Sequence, residues 1–390
     1  VCGVIESYTG PKNLKFWLDF LNPVCGSVAA TIDLTTIPAA EASAVNQVIT
    51  FTNGQAEVAG KYKDVGRIQI NVKDDSQPHP DLPNGIRGAT AGFVVKPYQF
   101  LLSNIEDSAG SPNPAATDAD GGTFVAAGEA FSVTVSALDA EGDITPNFGQ
   151  ESIPETVQLT PTLVAPAAGD NPALGAASAF GPFVAGQATG TNFSWPEVGI
   201  ITLTPSIGDG DYLGAGDVAG SPSGNVGRFF AHHFTTTLNT PTFATSCSSG
   251  SFTYIGETFY YSNDPLITVT ARALAGDITE NYAGDFFKID NTSLPDPAYT
   301  STPATLGTSG LPPGSSDPLV VSAGAGIGTL TFSSGSGLAY IRGAEEAPFD
   351  ADIRLSIDVA DTDGAAANGN PIVFGSAGGI LFDAGANMRY

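Results

Sequence analysis

The chain has 390 residues, including 47 glycines and 28 prolines, and carries 40 acidic against 14 basic side chains, a formal net charge of −26. So negative a field repels phosphate backbones and anionic lipid surfaces, which argues against nucleic acid and membrane insertion and keeps a secreted protein soluble. No apolar run approaches the roughly 18 residues of a membrane span and no charged-then-apolar leader is visible, so the chain reads as a soluble, processed or excised piece.

At about 100 to 150 residues per domain, the length predicts three domains, each able to bury its own core. Val, Ile, Thr, Phe and Tyr fall in short runs between Gly/Pro punctuation, the composition of strands joined by turns.

In chain order, Cys2 and Cys25 come first and bracket a loop of ordinary disulfide size. "PAAEASAVNQ" (38–47) predicts a short loop helix across a sandwich end. In "RIQINV", Ile68, Ile70 and Val72 share one parity, the period of a half-buried strand. "FSVTVSAL" repeats this with Phe131, Val133, Val135 and Ala137, and "PLITVTARAL" with Ile267, Val269 and Ala271, leaving Thr268, Thr270 and Arg272 on a wet face. The Ser/Pro/Ala/Gly-rich stretches 104–122, 161–178 and 292–317 read as long surface loops.

Internal repetition organises these elements. "GDITPN" (142–147) returns as "GDITEN" (276–281), and "GFVVKPYQF" returns loosely as "VGRFFAHHF", both at an offset of 134 positions. A strand–turn–strand echo runs through 54–70, 186–203 and, weaker, 324–341. One shared offset means tandem copies of one unit. The GDIT segments read as hairpin turns, since Gly142 and Gly276 tolerate positive φ and the following Asp can hold the turn. The fold expected is all-β: tandem immunoglobulin-like β-sandwiches in an elongated array, divided at 1–97, 98–233 and 234–390, the last open to completion at its C-terminal end.

Three acidic clusters lie in predicted loops: Asp118 and Asp120; Asp209, Asp211 and Asp217; and Asp358, Asp361 and Asp363. Alternating Asp beside Gly suits a hard cation with oxygen ligands, so calcium is the cofactor they raise, against the ordinary reading as solvated turns; none fits the twelve-residue calcium loop. The preferred cluster is Asp209, Asp211 and Asp217, ahead of the strand leading into the third unit. His232 and His233 lack further ligands at metal spacing. Arg228 and Lys96 read as partners of a local Asp or as a shared junction feature. Phe16, Trp17, Trp195, Phe229, Phe230 and Phe234 read as packing or as a platform for stacking sugars. Cys247 is a buried thiol or the partner of a segment outside these residues. No serine sits in a G-x-S-x-G elbow, and abundant carboxylates alone do not make a glycosidase, so no enzyme is expected.

"NLKFWLDFLNP", "VITFTNGQAEVAGKYKDVGRIQINVKD", "FSVTVSALDAEGDITPNFG", "DYLGAGDVAGSPSGNVGRFFAHHF" and "FTYIGETF" together resemble the C-terminal region of MshQ-type proteins. Those are encoded with the mannose-sensitive haemagglutinin (MSHA) type IV pilus system of Gram-negative bacteria. The resemblance implies a secreted, pilus-associated or outer-surface protein of tandem β-domains with no catalytic residues to carry over. Its partners would be pilus or surface-apparatus proteins, copies of itself through strand addition, or surface glycans.

Overall fold

The computed structural model describes residues 3–74, 85–247, 249–376, 378–385 and 387–390. Cys2 and His79, and with Cys2 the expected Cys2–Cys25 pair, lie outside these residues. The Cys25 thiol is exposed and the Cys247 thiol half-buried.

The chain is all-β. Every described element is a strand except two 3-10 turns, Glu41–Ser43 and Gly284–Phe286. The helix expected over 38–47 shrinks to the first of these, because Asn46–Phe51 is extended and pairs along Gly10–Asn22. Its Val48, Ile49 and Thr50 are β-branched, and sheet pairing outweighs the Ala-rich stretch before them.

In the first body, strand Gly10–Asn22 lies between Asn46–Phe51 and Gly66–Asp74, which in turn pairs with Ile86–Ala89 and Phe93–Val95. A three-stranded sheet of Ala30–Ile32, Thr35–Ile37 and Gly60–Lys61 faces it, and Leu14, Phe16, Leu18, Ile32, Ile37, Ile49 and Ile68 fill the space between. The second body sets Gln187–Ser194, Ala130–Leu138 and Gln99–Asp107 against Val157–Ala165, Gly199–Ile207 and Val226–Phe229. In the third, the sheet of His233–Leu238, Leu266–Arg272, Ile327–Thr331 and Leu319–Gly324 accompanies that of Ala298–Thr302, Asp352–Ile357 and Ile372–Phe374. The segments Leu381–Phe382 and Asn387–Arg389 pair in parallel with Thr242–Phe243 and Phe252–Tyr254 of the same body.

The period-two reading places side chains correctly: Phe131, Val133, Val135 and Ala137 are buried, as are Ile267, Val269 and Ala271. The loop reading fails in part, since 104–107, 161–165 and 298–302 lie in strands. Pro161 disguised the second of these, but Val157–Ala165 is an edge strand, where a residue without an N–H is tolerated. The accessible surface of 18524 Å² exceeds the roughly 14,000 Å² of a compact monomer of this mass, as expected for smaller bodies in tandem.

The GDIT segments are equivalent hairpin turns. Gly142 and Gly276 have φ of +88° and +94°. Leu138 bridges Ile144 as Arg272 bridges Ile278, and the N–H groups of Thr145 and Thr279 donate to the carbonyls of Ala137 and Ala271.

Candidate functional site at the domain junctions

The Asn that closes each hairpin motif, "DITPN" or "DITEN", is docked into the preceding body. At the first junction the Oδ1 of Asp64 accepts the backbone N–H groups of Val65 (2.8 Å) and Asn147 (3.0 Å). The side-chain amide of Asn147 reaches back to the Tyr62 hydroxyl and the Val65 carbonyl, at 3.1 and 3.3 Å. At the second junction the carboxylate of Glu197 accepts the N–H groups of Val198 (2.7 Å), Glu280 (2.5 Å) and Asn281 (3.2 Å). The Asn281 amide closes a two-way contact with the backbone of Asp170: its Nδ2 donates to the carbonyl at 2.8 Å and its Oδ1 accepts the N–H at 2.7 Å.

The residue after each acid carries the apolar part of the joint. Val65 is buried in the core cluster of the second body, with Phe100, Val135 and Phe148, and Val198 in that of the third, with Phe234, Phe243 and Ile267. A glycine then completes each triplet, Asp64-Val65-Gly66 and Glu197-Val198-Gly199. Gly66 and Gly199 have φ of +126° and +141°, and a Cβ there would lie 2.5 Å from the Asn22 carbonyl oxygen and 2.3 Å from that of Ala165. Only glycine fits this backbone approach without strain. The strands carrying those carbonyls, Gly10–Asn22 and Val157–Ala165, hold corresponding places beside Gly66–Asp74 and Gly199–Ile207.

Charge adds a different lock at each joint. At the first, Lys61 and Lys63 bind Glu141, and Lys63 also binds Asp143 at 2.7 Å. These pairs are exposed, and such pairs contribute little individually. At the second, the guanidinium of Arg228 forms a two-pronged pair with the carboxylate of Asp363, both side chains buried, and its Nε donates to the Gly121 carbonyl at 2.9 Å. Burial pushes the Glu197 carboxyl up to about 7, its three N–H donors only partly offsetting the lost hydration.

The acidic clusters read from the sequence have separate employments. Asp120 binds Lys288 at 2.9 Å, and Asp118 accepts the N–H of Asp120. Asp209 accepts the N–H of Asp211, Asp211 that of Gly216, and the carbonyl of Asp217 accepts Lys96. Asp361 accepts the Tyr282 hydroxyl and is buried, Asp363 holds Arg228, and Asp358 is exposed. Among the described residues, the three carboxylates that bring oxygens within 4.8 Å of one another are Asp139, Glu141 and Asp143, outside all three clusters. Among the described residues, neither Arg228 nor Lys96 pairs with the carboxylate of a local Asp. Phe16, Trp17, Trp195, Phe229 and Phe234 are buried and Phe230 half-buried, so these aromatics are packing and not an exposed sugar platform. His232 and His233 are half-buried with their Nδ1 atoms 3.0 Å apart, and burial lowers the pKa of His233.

Three family descriptions match in order: the first Ig-like domain of DUF6701 over residues 1–84, its second domain over 96–193 and its third over 197–378. The chain is built from the DUF6701 domains. No curated protein matches it. Together with the sheet topology, the match makes the fold a tandem of immunoglobulin-like sandwiches. The third DUF6701 match opens on Glu197, the junction acid itself, while strand Gly199–Ile207 just after it hydrogen-bonds to Val157–Ala165 of the second body. The third match is therefore offset from the sandwich that folds, since it takes in a strand of the second body. Asp64, Glu197, Asn147 and Asn281 were missed as site residues, although the repeated "DVG" and "EVG" triplets before a β-branched strand carried the signal.

Proposed function

We propose that this DUF6701 chain is a non-enzymatic, extracellular structural and adhesive protein of a pilus-type surface apparatus, of the MshQ-like kind its motifs resemble, which sets spacing and presents contact surfaces. The observation that carries the reading is the repeated joint: an acid–Val–Gly triplet receiving an Asn from the next hairpin, twice, 83 and 84 positions on. A chain that repeats its joint as faithfully as its domains has been shaped to fix the distance between its ends. Buried acids such as Glu197 and Asp361 are engaged by backbone and tyrosine donors inside the array, which supports a structural role over an acid–base one.

Electron microscopy of the purified chain, with immunogold labelling of the producing cells, tests the reading. Monodisperse short rods and label at the pilus-bearing surface are expected. Long fibres would replace it with a filament subunit joined by strand addition, and intracellular label would end it.

A further inference from the structure

The hairpin that begins at Asp139 recurs at Ala273 and again at Asp361. Asp139 Oδ1 accepts the N–H groups of Glu141 and Asp143, both at 2.9 Å, and Asp361 Oδ1 accepts those of Asp363 and Ala365, at 3.0 and 2.9 Å. The second oxygen of Asp361 takes the Tyr282 hydroxyl at 2.9 Å. The second oxygen of Asp139 is buried and has no hydrogen-bond partner among the described residues. In the hairpin 134 positions on, Ala273 removes the question.

The junction acids differ in the same way. Glu197 uses both oxygens, Oε1 on Glu280 and Oε2 on Val198 and Asn281. The shorter Asp64, 1% exposed, spends Oδ1 on Val65 and Asn147 and leaves Oδ2 buried without a partner among the described residues. Asp64 and Asp139, one from each body, line a single cavity of about 280 Å³, together with Tyr98, Thr145 and Lys96. The Lys96 ammonium spends one of its three N–H donors on the Asp217 carbonyl at 2.8 Å, and among the described residues neither orphan oxygen receives a hydrogen bond from it.

We propose that Asp64 and Asp139 bind one hard divalent cation of the calcium class across the joint between the first and second bodies. An anionic oxygen withdrawn from water without a donor is costly, and a cation with oxygen ligands removes that cost for both residues at once. Water completes the coordination shell, and Glu141 and Asp143 add negative field while remaining on Lys61 and Lys63. The second joint has no such need: Ala273 supplies no carboxylate there, Glu197 is satisfied, and the buried cation is Arg228. This site goes beyond the spacer reading and does not depend on it.

The test is calcium titration of the chelator-treated full chain by calorimetry. One site is expected, weakened about tenfold or more by Asp139→Ala, which copies Ala273, and unchanged by Asp211→Asn. Because Asp64 also holds backbone N–H groups, a second readout avoids depending on its variants: terbium luminescence sensitised by Tyr62 and Tyr98 at the joint, expected in the wild type and lost in Asp139→Ala. Absence of binding, or calcium affinity and luminescence undiminished in Asp139→Ala, overturns the proposal. Rod length measured in chelator separates this outcome from failure of the spacer reading.

Discussion

Glu197 accepts the backbone N–H of Asn281 at 3.2 Å, and Asp64 accepts that of Asn147 at 3.0 Å, the same relationship one repeat earlier. Glu197→Ala leaves the N–H groups of Val198, Glu280 and Asn281 without their acceptor in a buried joint, which is expected to cost about 2–3 kcal/mol. Calorimetric unfolding checks this: the third body should separate into an earlier transition, while the first body melts as before.

The same carboxyl sets a pH dependence. Burial raises the Glu197 pKa from its ordinary 4.5 to about 7, so the folded joint binds a proton that the unfolded chain has already released between those values. Its stabilising contribution is fully present below the ordinary value and is lost as pH rises through about 7. The melting temperature of the second joint should fall across that window, and Glu197→Gln should flatten the dependence. A wild-type profile that rises with pH there, with Glu197→Gln unchanged from wild type, contradicts the assignment.

Arg228 and Asp363 form a buried pair between two bodies. Removing either partner strands a buried charge, so Arg228→Ala and Asp363→Ala should each destabilise by about 3–5 kcal/mol, with the double variant costing much less than the sum. Urea unfolding of the four proteins gives the coupling directly. Additive effects would place the cost in packing and not in the pair.

Gly66→Ala and Gly199→Ala should both be damaging, since the added Cβ meets a carbonyl oxygen at 2.5 and 2.3 Å and φ is positive at each. Gly142→Ala, with the same sign of φ but nothing within 4 Å, is expected to cost only about 1 kcal/mol. Comparing the three by chemical denaturation distinguishes close approach from backbone preference.

The sandwich fold was legible because strand burial writes itself into neighbouring residues: Phe131, Val133, Val135 and Ala137 alternate within one short run. Gly142 and Gly276 were legible as turns for the same local reason. The junctions were not, because their bonds join residues far apart in sequence, such as Asp64 with Asn147 and Arg228 with Asp363, and no local pattern pairs them. Asp361 and Asp363 drew attention as a cation loop because Asp beside Gly suits both a metal and a turn. Which use wins is set by Tyr282 and Arg228, which arrive from elsewhere in the chain. The carboxylate–amide contacts nevertheless left a trace, the acid–Val–Gly triplet present in two echoes and missing from the third at 324–341.

Small-angle X-ray scattering of the full chain tests most directly whether these joints hold the bodies as one fixed array. A compact 390-residue protein has a radius of gyration of about 21 Å. The two joints predict a clearly larger value, fitted by a single conformation and unchanged by moderate salt, because the acid–Asn contacts and the Arg228–Asp363 pair are buried. A radius near that of a compact globule, or a curve that only a mixture of inter-domain angles can fit, would contradict the account.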